Sequence, residues 1–298
     1  MLFKNKWNQL ALFLLILGVN LIIFSIIALG TTVLFWKSMS MENPAVARYS
    51  NALIMLGAFG FTALLHAFIV NQRKPFAYLQ MNKGVQWKTV LLLVLVFCAS
   101  MPVLSWIIKW NEGLHLPQFL SAVEQWMREY EDQAALLTKR MLSGTSLSVL
   151  CANLLAIAVV PALCEELLFR GVLLSWLKDS FHRKHLAVWL SAIVFSAFHV
   201  QFFGFFPRML LGVYLGYLFL WTGSLWTPII AHFLNNAVAV VAAFLYNIGY
   251  ISVNYEEFGS GGEQIWVIIL SFCITGGLIF MIWKNRKKTI FSTPFQSS

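Results

Sequence analysis

Apolar residues form long, uninterrupted runs along most of this chain. A helix needs about 20 apolar residues to cross a hydrocarbon core about 30 Å thick. Runs of about that length occupy residues 7–36, 50–70, 87–108, 147–177, 186–203, 207–221, 225–247 and 264–283. The pattern therefore predicts an all-α, polytopic transmembrane helix bundle with about eight spans. In the short sixth run, Gly212 and Gly216 form a G-x-x-x-G spacing that favours close helix contact.

The composition supports a membrane protein. Of the 298 residues, 59% are apolar and 11% are charged, whereas soluble domains have roughly 45–50% and about 25%. Such a chain cannot cover its surface with polar side chains, which excludes a water-soluble globular protein. The four cysteines lie in apolar runs without metal-ligand or redox spacing, so we interpret them as core residues.

Most Lys and Arg residues lie in the predicted loops between the spans. If the N-terminus is inside, the inside segments carry 13 Lys and Arg residues and the outside segments carry 7. The positive-inside rule then predicts that both termini are cytoplasmic, and short basic loops are common in bacterial plasma-membrane proteins. Because the basic residues flank apolar runs instead of clustering on a polar face, the net charge of +9 does not indicate nucleic-acid binding.

One sizeable polar stretch, residues 111–146, lies outside in this topology. Ser121 and Glu124 have the spacing of a capping box, which predicts a helix start. Apolar residues then recur at helical spacing, at Val123, Trp126, Met127, Tyr130, Ala134, Leu137 and Met141. We expect an amphipathic helix, which is either a lid over the bundle or a helix lying in the membrane interface.

Three ionisable residues interrupt the fourth predicted span. A charged group at a helix centre costs about 2.5–3.5 kcal/mol on insertion scales, so such residues are functional candidates. Glu166 and Arg170 are i,i+4 neighbours that can pair, and a structural ion pair is the simplest interpretation of them. Glu165 has no such partner in its own helix, which favours a functional role.

Two further spans carry histidines. His199 lies in the fifth span, and His232 lies in the seventh, one turn before Asn236. A helical rise of 1.5 Å per residue puts Glu165, His199, His232 and Asn236 about 18, 20, 10 and 16 Å from the inner ends of their spans. These four side chains can therefore meet in one layer. Each histidine taken singly could instead be a packing residue, as we expect for His66 in the second span.

These side chains suit peptide hydrolysis. A carboxylate can take a proton from water, imidazoles can polarise or bind, and an amide can donate to an oxyanion. In one version Glu165, His199 and His232 hold a metal, of which Zn²⁺ is the usual choice for such ligands. In the other version Glu165 activates water directly and no cofactor is needed.

Three motifs in succession resemble a known family. They are E-E-x-x-x-R from Glu165 to Arg170, F-x-x-x-H from Phe195 to His199, and H-x-x-x-N from His232 to Asn236. Together they are similar to the motifs of the CPBP family, which contains the type II CAAX prenyl endopeptidases and the bacteriocin-processing (Abi) membrane proteins. The resemblance covers residues 147–247, which we take as the core. Residues 1–146 would add the N-terminal spans and outer helix, and residues 248–298 the final span and a basic tail.

The resemblance implies roles for the motif residues. Glu165 would be the base that activates water, and His199 would help to hold that water. His232 and Asn236 would form the oxyanion side, with Glu166 and Arg170 in support. The expected partners are membrane lipid and a peptide or protein substrate, such as a prenylated Cys-a-a-X tail or a bacteriocin-type peptide. The alternatives are a non-catalytic immunity or scaffold protein of the same fold, and a proton-coupled transporter.

Overall fold

The structure is a computed structural model that describes residues 5–36, 42–72, 74–252 and 265–290. Long helices dominate these ranges, with one-turn elements at Pro75–Tyr78 and Gln118–Leu120. In chain order the long helices are α1 (Lys6–Trp36), α2 (Pro44–Val70), α3 (Trp87–Glu112), α4 (Ser121–Leu142), α5 (Leu147–Phe181), α6 (Lys184–Ala197), α7 (Phe205–Thr222), α8 (Trp226–Asn247) and α9 (Ile265–Ile290).

Seven helices in the described part of the chain, all except α4 and α6, are long and apolar enough to cross a membrane. This confirms the predicted all-α, multi-pass membrane bundle. α6 stands where the fifth span was predicted and is apolar, but it has only 14 residues. The prediction that this span continues to residue 203 is wrong, because the helix ends at Ala197.

The early end of α6 has a structural cause. Val200 adopts a positive φ of 54°, which is rare for a β-branched residue and turns the chain out of the helix. Beyond it, the fully buried Asn111 of α3 donates to the carbonyls of Phe202 and Phe203 and accepts the backbone N–H of Phe206. These contacts satisfy backbone groups of Phe202, Phe203 and Phe206. We call residues 198–204, between α6 and α7, the His199 loop.

The described loops make contacts at two ends of the bundle. At one end, Lys6 Nζ lies 3.4 Å from Asp179, and the N–H of Leu225 donates to Gln80 O. At the other end, the Asn247 amide donates to the carbonyl of Leu142. Of the basic residues used in the orientation argument, Lys4, Lys37 and Arg73 lie outside the described residues.

The predicted G-x-x-x-G contact is present between α6 and α7. A Cβ atom on Gly212 would lie 3.0 Å from Ala192 Cβ, and one on Gly216 would lie 3.1 Å from Val188 Cγ1. Larger residues at these positions would push the two helices apart. This packing places α6 and α7, and the His199 loop between them, beside the middle of α5.

The predicted amphipathic helix is α4, but its capping box is not formed. Ser121 already has helical dihedrals and caps nothing, because the Gln118–Leu120 turn runs directly into α4. α4 covers the His199 loop, since Glu131 accepts the N–H of Phe203 and the ring of Trp126 packs on Phe202. Most of its apolar stripe stays exposed, and Trp126 is 53% exposed. α4 therefore combines the position of a lid with the surface of an interfacial helix.

Glu124 holds the start of α4 in place. Its carboxylate accepts hydrogen bonds from Arg128, His115 and the N–H of Leu116. These contacts, that with Arg128 above all, lower the Glu124 pKa from 4.5 to about 2. Arg128 also lies over the ring of Phe203, 3.9 Å from its centroid, so this cluster connects α4 to the His199 loop.

We therefore expect Glu124→Gln to lower Tm at neutral pH but not in strong acid. A carboxyl group whose folded-state pKa is lowered stabilises the fold above its unfolded pKa, and this stabilisation is lost as pH falls through the folded pKa. The Tm difference from wild type should thus be complete at pH 7 and shrink between about pH 4.5 and 2. Thermal unfolding in detergent measures it, with Glu129→Gln as the control. A difference that persists at pH 2 would contradict this account.

Candidate active site

Irregular helix surrounds the acidic pair of α5. Two π-helical segments, Leu154–Val159 and Leu167–Leu174, flank the α-helical Val160–Glu166. Pro161 has no N–H to donate to the carbonyl of Ile157, four residues earlier. The side-chain amide of Asn236 on α8 donates to that carbonyl, at 3.3 Å. Backbone irregularity at membrane depth requires such a partner, and π-bulges are frequent at functional sites.

Glu166 is fully buried and lies at the centre of the site. Its Oε1 accepts hydrogen bonds from Arg170 Nη1 and from His232 Nδ1, both at 2.8 Å. Arg170 also donates through Nη2 to the carbonyl of Gly212, at 3.2 Å. The predicted i,i+4 pair is therefore formed. It extends to α7 and α8, which the sequence spacing alone did not indicate.

Phe195 organises the aromatic side of the site. Its ring contacts the imidazoles of His199 and His232, with ring centroids 5.1 and 6.0 Å away. The guanidinium of Arg170 lies over the same ring, 4.6 Å from its centroid. This packing explains why a phenylalanine four residues before His199 suits the site: one ring supports both histidines and a buried cation.

Glu165 differs from its neighbour. It is 5% exposed. The Oε2 atoms of Glu165 and Glu166 both lack a hydrogen-bond partner among the described residues, but Glu166 also has an Oε1 atom that accepts two hydrogen bonds. The ionisable group nearest to Glu165 is His232, whose Nε2 lies 3.9 Å from Glu165 Oε2, which is too long for a direct hydrogen bond. A buried carboxylate without a close donor is costly, so Glu165 requires a functional explanation.

The hydrogen bonds of the histidines indicate which ring atoms face the site. His199 Nδ1 lies 2.9 Å from the carbonyl of Phe195, and His232 Nδ1 lies 2.8 Å from Glu166. Since a carbonyl or a carboxylate only accepts, we assign a hydrogen to Nδ1 in both rings. The Nε2 atoms are then left for substrate or water.

The predicted site residues are assembled to different degrees. Glu165, Glu166, Arg170 and His232 are in direct contact or nearly so, while His199 joins them through Phe195. Asn236 reaches α5 at Ile157, and its Oδ1 accepts from Asn235. His66 lies apart, where Nε2 contacts the carbonyl of Gln9 and its ring packs on Phe13 and Tyr78.

The predicted metal ligands do not form a ligand set. Within the described ranges, no three His, Cys, Asp or Glu side chains are arranged to hold a metal ion. His232 uses Nδ1 for Glu166, and its Nε2 is 3.9 Å from Glu165. Two tetrahedral Zn²⁺ ligands lie roughly 3.3–3.8 Å apart, so the Glu165 and His232 pair comes near that spacing, but His199 joins them only through Phe195 and no third ligand in the described part of the chain completes the set. Since Glu165, His199 and His232 do not fit a metal as they stand, we derive no catalytic step through one.

Sequence reasoning missed two residues beside the site. Asn111, at the end of α3, and Arg208, at the start of α7, both form hydrogen bonds to the loop that carries His199. By sequence, Asn111 is the first residue of the polar stretch 111–146, and Arg208 is one of the seven basic residues of the predicted outside segments. The one signal that the sequence gives for these two residues is their position at the end of an apolar run. Many solvated residues have the same position, so the signal does not distinguish them.

Comparison with known proteins agrees with the motifs. A family model described as type II CAAX prenyl endopeptidase Rce1-like matches residues 147–238. This match confirms the resemblance. The matched region contains all six predicted site residues and, at the level of the family, supports a CAAX-type intramembrane protease.

The chain is also similar to the uncharacterized protein YpbD of Bacillus subtilis (strain 168), with 27% identity over 156 residues. This alignment covers 51% of the chain and 65% of YpbD. No solved structure matches the chain.

We expect the Glu166–Arg170 pair to be structural. Arg170→Met leaves an uncompensated buried carboxylate and should lower the free energy of unfolding by about 3–5 kcal/mol. Adding Glu166→Gln should recover much of this loss, because a glutamine oxygen still accepts from His232 Nδ1. A double-mutant cycle on unfolding in detergent measures the coupling. The same cycle on the more exposed i,i+4 pair Glu124 and Arg128 is the matched control and should give a smaller coupling. Coupling below about 0.5 kcal/mol at Glu166 and Arg170 would contradict a structural pair.

Proposed function

We propose that this protein is an intramembrane endopeptidase in which Glu165 activates water for attack on a peptide bond. The observation that carries the proposal is the buried carboxylate of Glu165, whose Oε2 atom has no hydrogen-bond partner among the described residues and lies 3.9 Å from His232 Nε2, whereas Glu166 is held by Arg170 and His232. A carboxylate in this position can accept a proton from a water molecule. The family match over residues 147–238 supports hydrolysis of a peptide in the membrane.

The neighbouring side chains suit the tetrahedral intermediate. His199 Nε2 completes the binding of the water. His232 donates from Nε2 when it carries a second proton, and Glu166 lies opposite that charge at Nδ1. One amide hydrogen of Asn236 is bonded to Ile157, which leaves the other to donate to the oxyanion.

The net charge of the buried site does not change during the attack on the peptide bond. Glu165 loses its negative charge when it takes the proton of water, while the attacked carbonyl oxygen gains one. The net charge of the buried site therefore stays constant until the peptide bond breaks, and the proton on Glu165 is then transferred to the leaving amine. Because charge separation is costly in a low-dielectric interior, this constancy favours the reaction there.

The family match indicates a class of substrate. We propose a membrane-associated peptide, either a prenylated Cys-a-a-X tail or a bacteriocin-type peptide. The basic inner loops further support a plasma-membrane protein, of bacterial origin and with both termini in the cytoplasm.

The first test of the proposal is Glu165→Gln. The amide keeps the shape of the side chain but cannot take a proton, so cleavage should fall by about 10²–10⁴-fold while the protein stays folded. The assay follows hydrolysis of a farnesylated Cys-a-a-X peptide and of a fluorogenic random peptide pool by purified protein. Glu129→Gln, an exposed carboxylate on α4, is the matched control and should cleave like wild type.

Two outcomes would count against the proposal. Cleavage by Glu165→Gln at the wild-type rate would remove Glu165 as the base. Full cellular function of Glu165→Gln in a complementation assay would favour a scaffold of the same fold over an enzyme.

The second test separates direct activation of water from the metal-assisted alternative. If Glu165 acts alone, exhaustive chelation should leave the cleavage rate unchanged, and metal analysis of active protein should show far less than one equivalent. If Zn²⁺ is used, chelation should abolish activity and added Zn²⁺ should restore it. The second result would overturn the metal-free mechanism but leave Glu165 as a residue of the site.

A further inference from the structure

The guanidinium of Arg208 is held by the His199 loop. Nη1 donates to the carbonyl of Gln201 at 3.1 Å, and Nη2 donates to Oε1 of the same residue. Gln201 lies two residues after His199, so the cation is fixed against the segment that carries a proposed catalytic side chain. Arg208 is only partly exposed.

Gly204 gives the guanidinium its space. A Cβ atom added at Gly204 would lie 2.5 Å from Arg208 Nη2 and 2.8 Å from Cζ. Any larger residue at position 204 would therefore displace the cation. The backbone at Gly204 has φ of −110°, which other residues also adopt, so close approach to Arg208 is the reason that the site needs glycine there.

The charge of Arg208 is not neutralised by direct contact. No carboxylate of the described chain lies within 4.0 Å of it. Gln201 supplies only neutral acceptors. A guanidinium has five N–H donors in a planar fork, and two of its nitrogens bond to Gln201, which leaves donors unused.

We propose that Arg208 is a specificity-determining residue that binds a carboxylate of the substrate beside the cleavage site. This inference rests on the proposed function. A planar guanidinium binds a carboxylate through two parallel hydrogen bonds, which is strong and geometrically selective. Since Arg208 is bonded to Gln201, two residues after His199, a carboxylate bound to it lies beside the His199 loop.

Two substrate groups share this chemistry, the C-terminal carboxylate of a short tail and an Asp or Glu side chain. They can be separated with two random pools of short peptides, one ending in a free acid and the other in an amide. Binding is measured on purified Glu165→Gln protein, because that variant should hold a peptide without cleaving it. Retained peptides are quantified and sequenced by mass spectrometry.

If the carboxylate is C-terminal, the acid pool should be retained about tenfold better than the amide pool, as expected for one charge-assisted contact. If it belongs to a side chain, both pools should be enriched in Asp or Glu. Adding Arg208→Gln should remove the preference, while Arg208→Lys should keep part of it. Arg140→Gln removes another outer cation and is the control that should leave the preference intact.

Gly204→Ala is the second variant, since it keeps the charge and moves the guanidinium. It should reduce the preference with little change in Tm, because the group that yields is the end of a flexible side chain. A purely structural Arg208 would lower Tm in Arg208→Gln without changing the preference, which would overturn the proposal. Equal retention of the two pools without Asp or Glu enrichment, or no retention of either, would also overturn it.

Cleavage by wild-type protein is followed separately. Cleavage without any carboxylate preference would leave the proposed function standing and remove the role of Arg208. A carboxylate preference in binding, together with no cleavage by wild-type protein, would leave the role of Arg208 standing and count against the proposed function.

Discussion

Burial of the Glu166 carboxylate is the constraint on which the centre of this protein depends. An isolated charge in a low-dielectric interior costs several kcal/mol, so the fold must bring donors to it. Arg170 and His232 supply them, and Arg170 continues to the carbonyl of Gly212 and the ring of Phe195. One carboxylate thereby fixes α5 against α6, α7 and α8. The rigidity matters to Glu165, which needs a defined position without a partner of its own.

Much of this arrangement could be predicted from the sequence, for physical reasons. Span length follows from membrane thickness, and the Glu166–Arg170 pair follows from the helical repeat, because both depend only on local geometry. Contacts between helices could be predicted from the sequence to a lesser extent. Spacing put His232 and Asn236 on one face of α8, but it did not show that Asn236 donates to the carbonyl of Ile157, four residues before Pro161. The proline was the available signal.

The error at the end of α6 has a different origin. Residues 198–203 are mostly apolar and so continue the pattern of a span. The chain leaves the helix because Asn111 and Glu131, distant in sequence, bind the backbone of the loop. Hydrophobicity indicates that a segment lies in an apolar environment, but it does not indicate which partners the backbone N–H and C=O groups have. In a membrane, irregular backbone persists only where protein groups satisfy it.

This dependence connects the outer part of the chain to the site. The family match begins at residue 147, yet two side chains that bind the His199 loop come from α3 and α4, before the matched region. Packing of Trp126 on Phe202 and of Arg128 over Phe203 adds to the same contact. The position of His199, and of the Arg208 cation that rests on its loop, is therefore set partly by residues 111–131. The proposed chemical groups therefore lie in the matched core, while the loop that carries His199 is positioned partly by segments that the match leaves out.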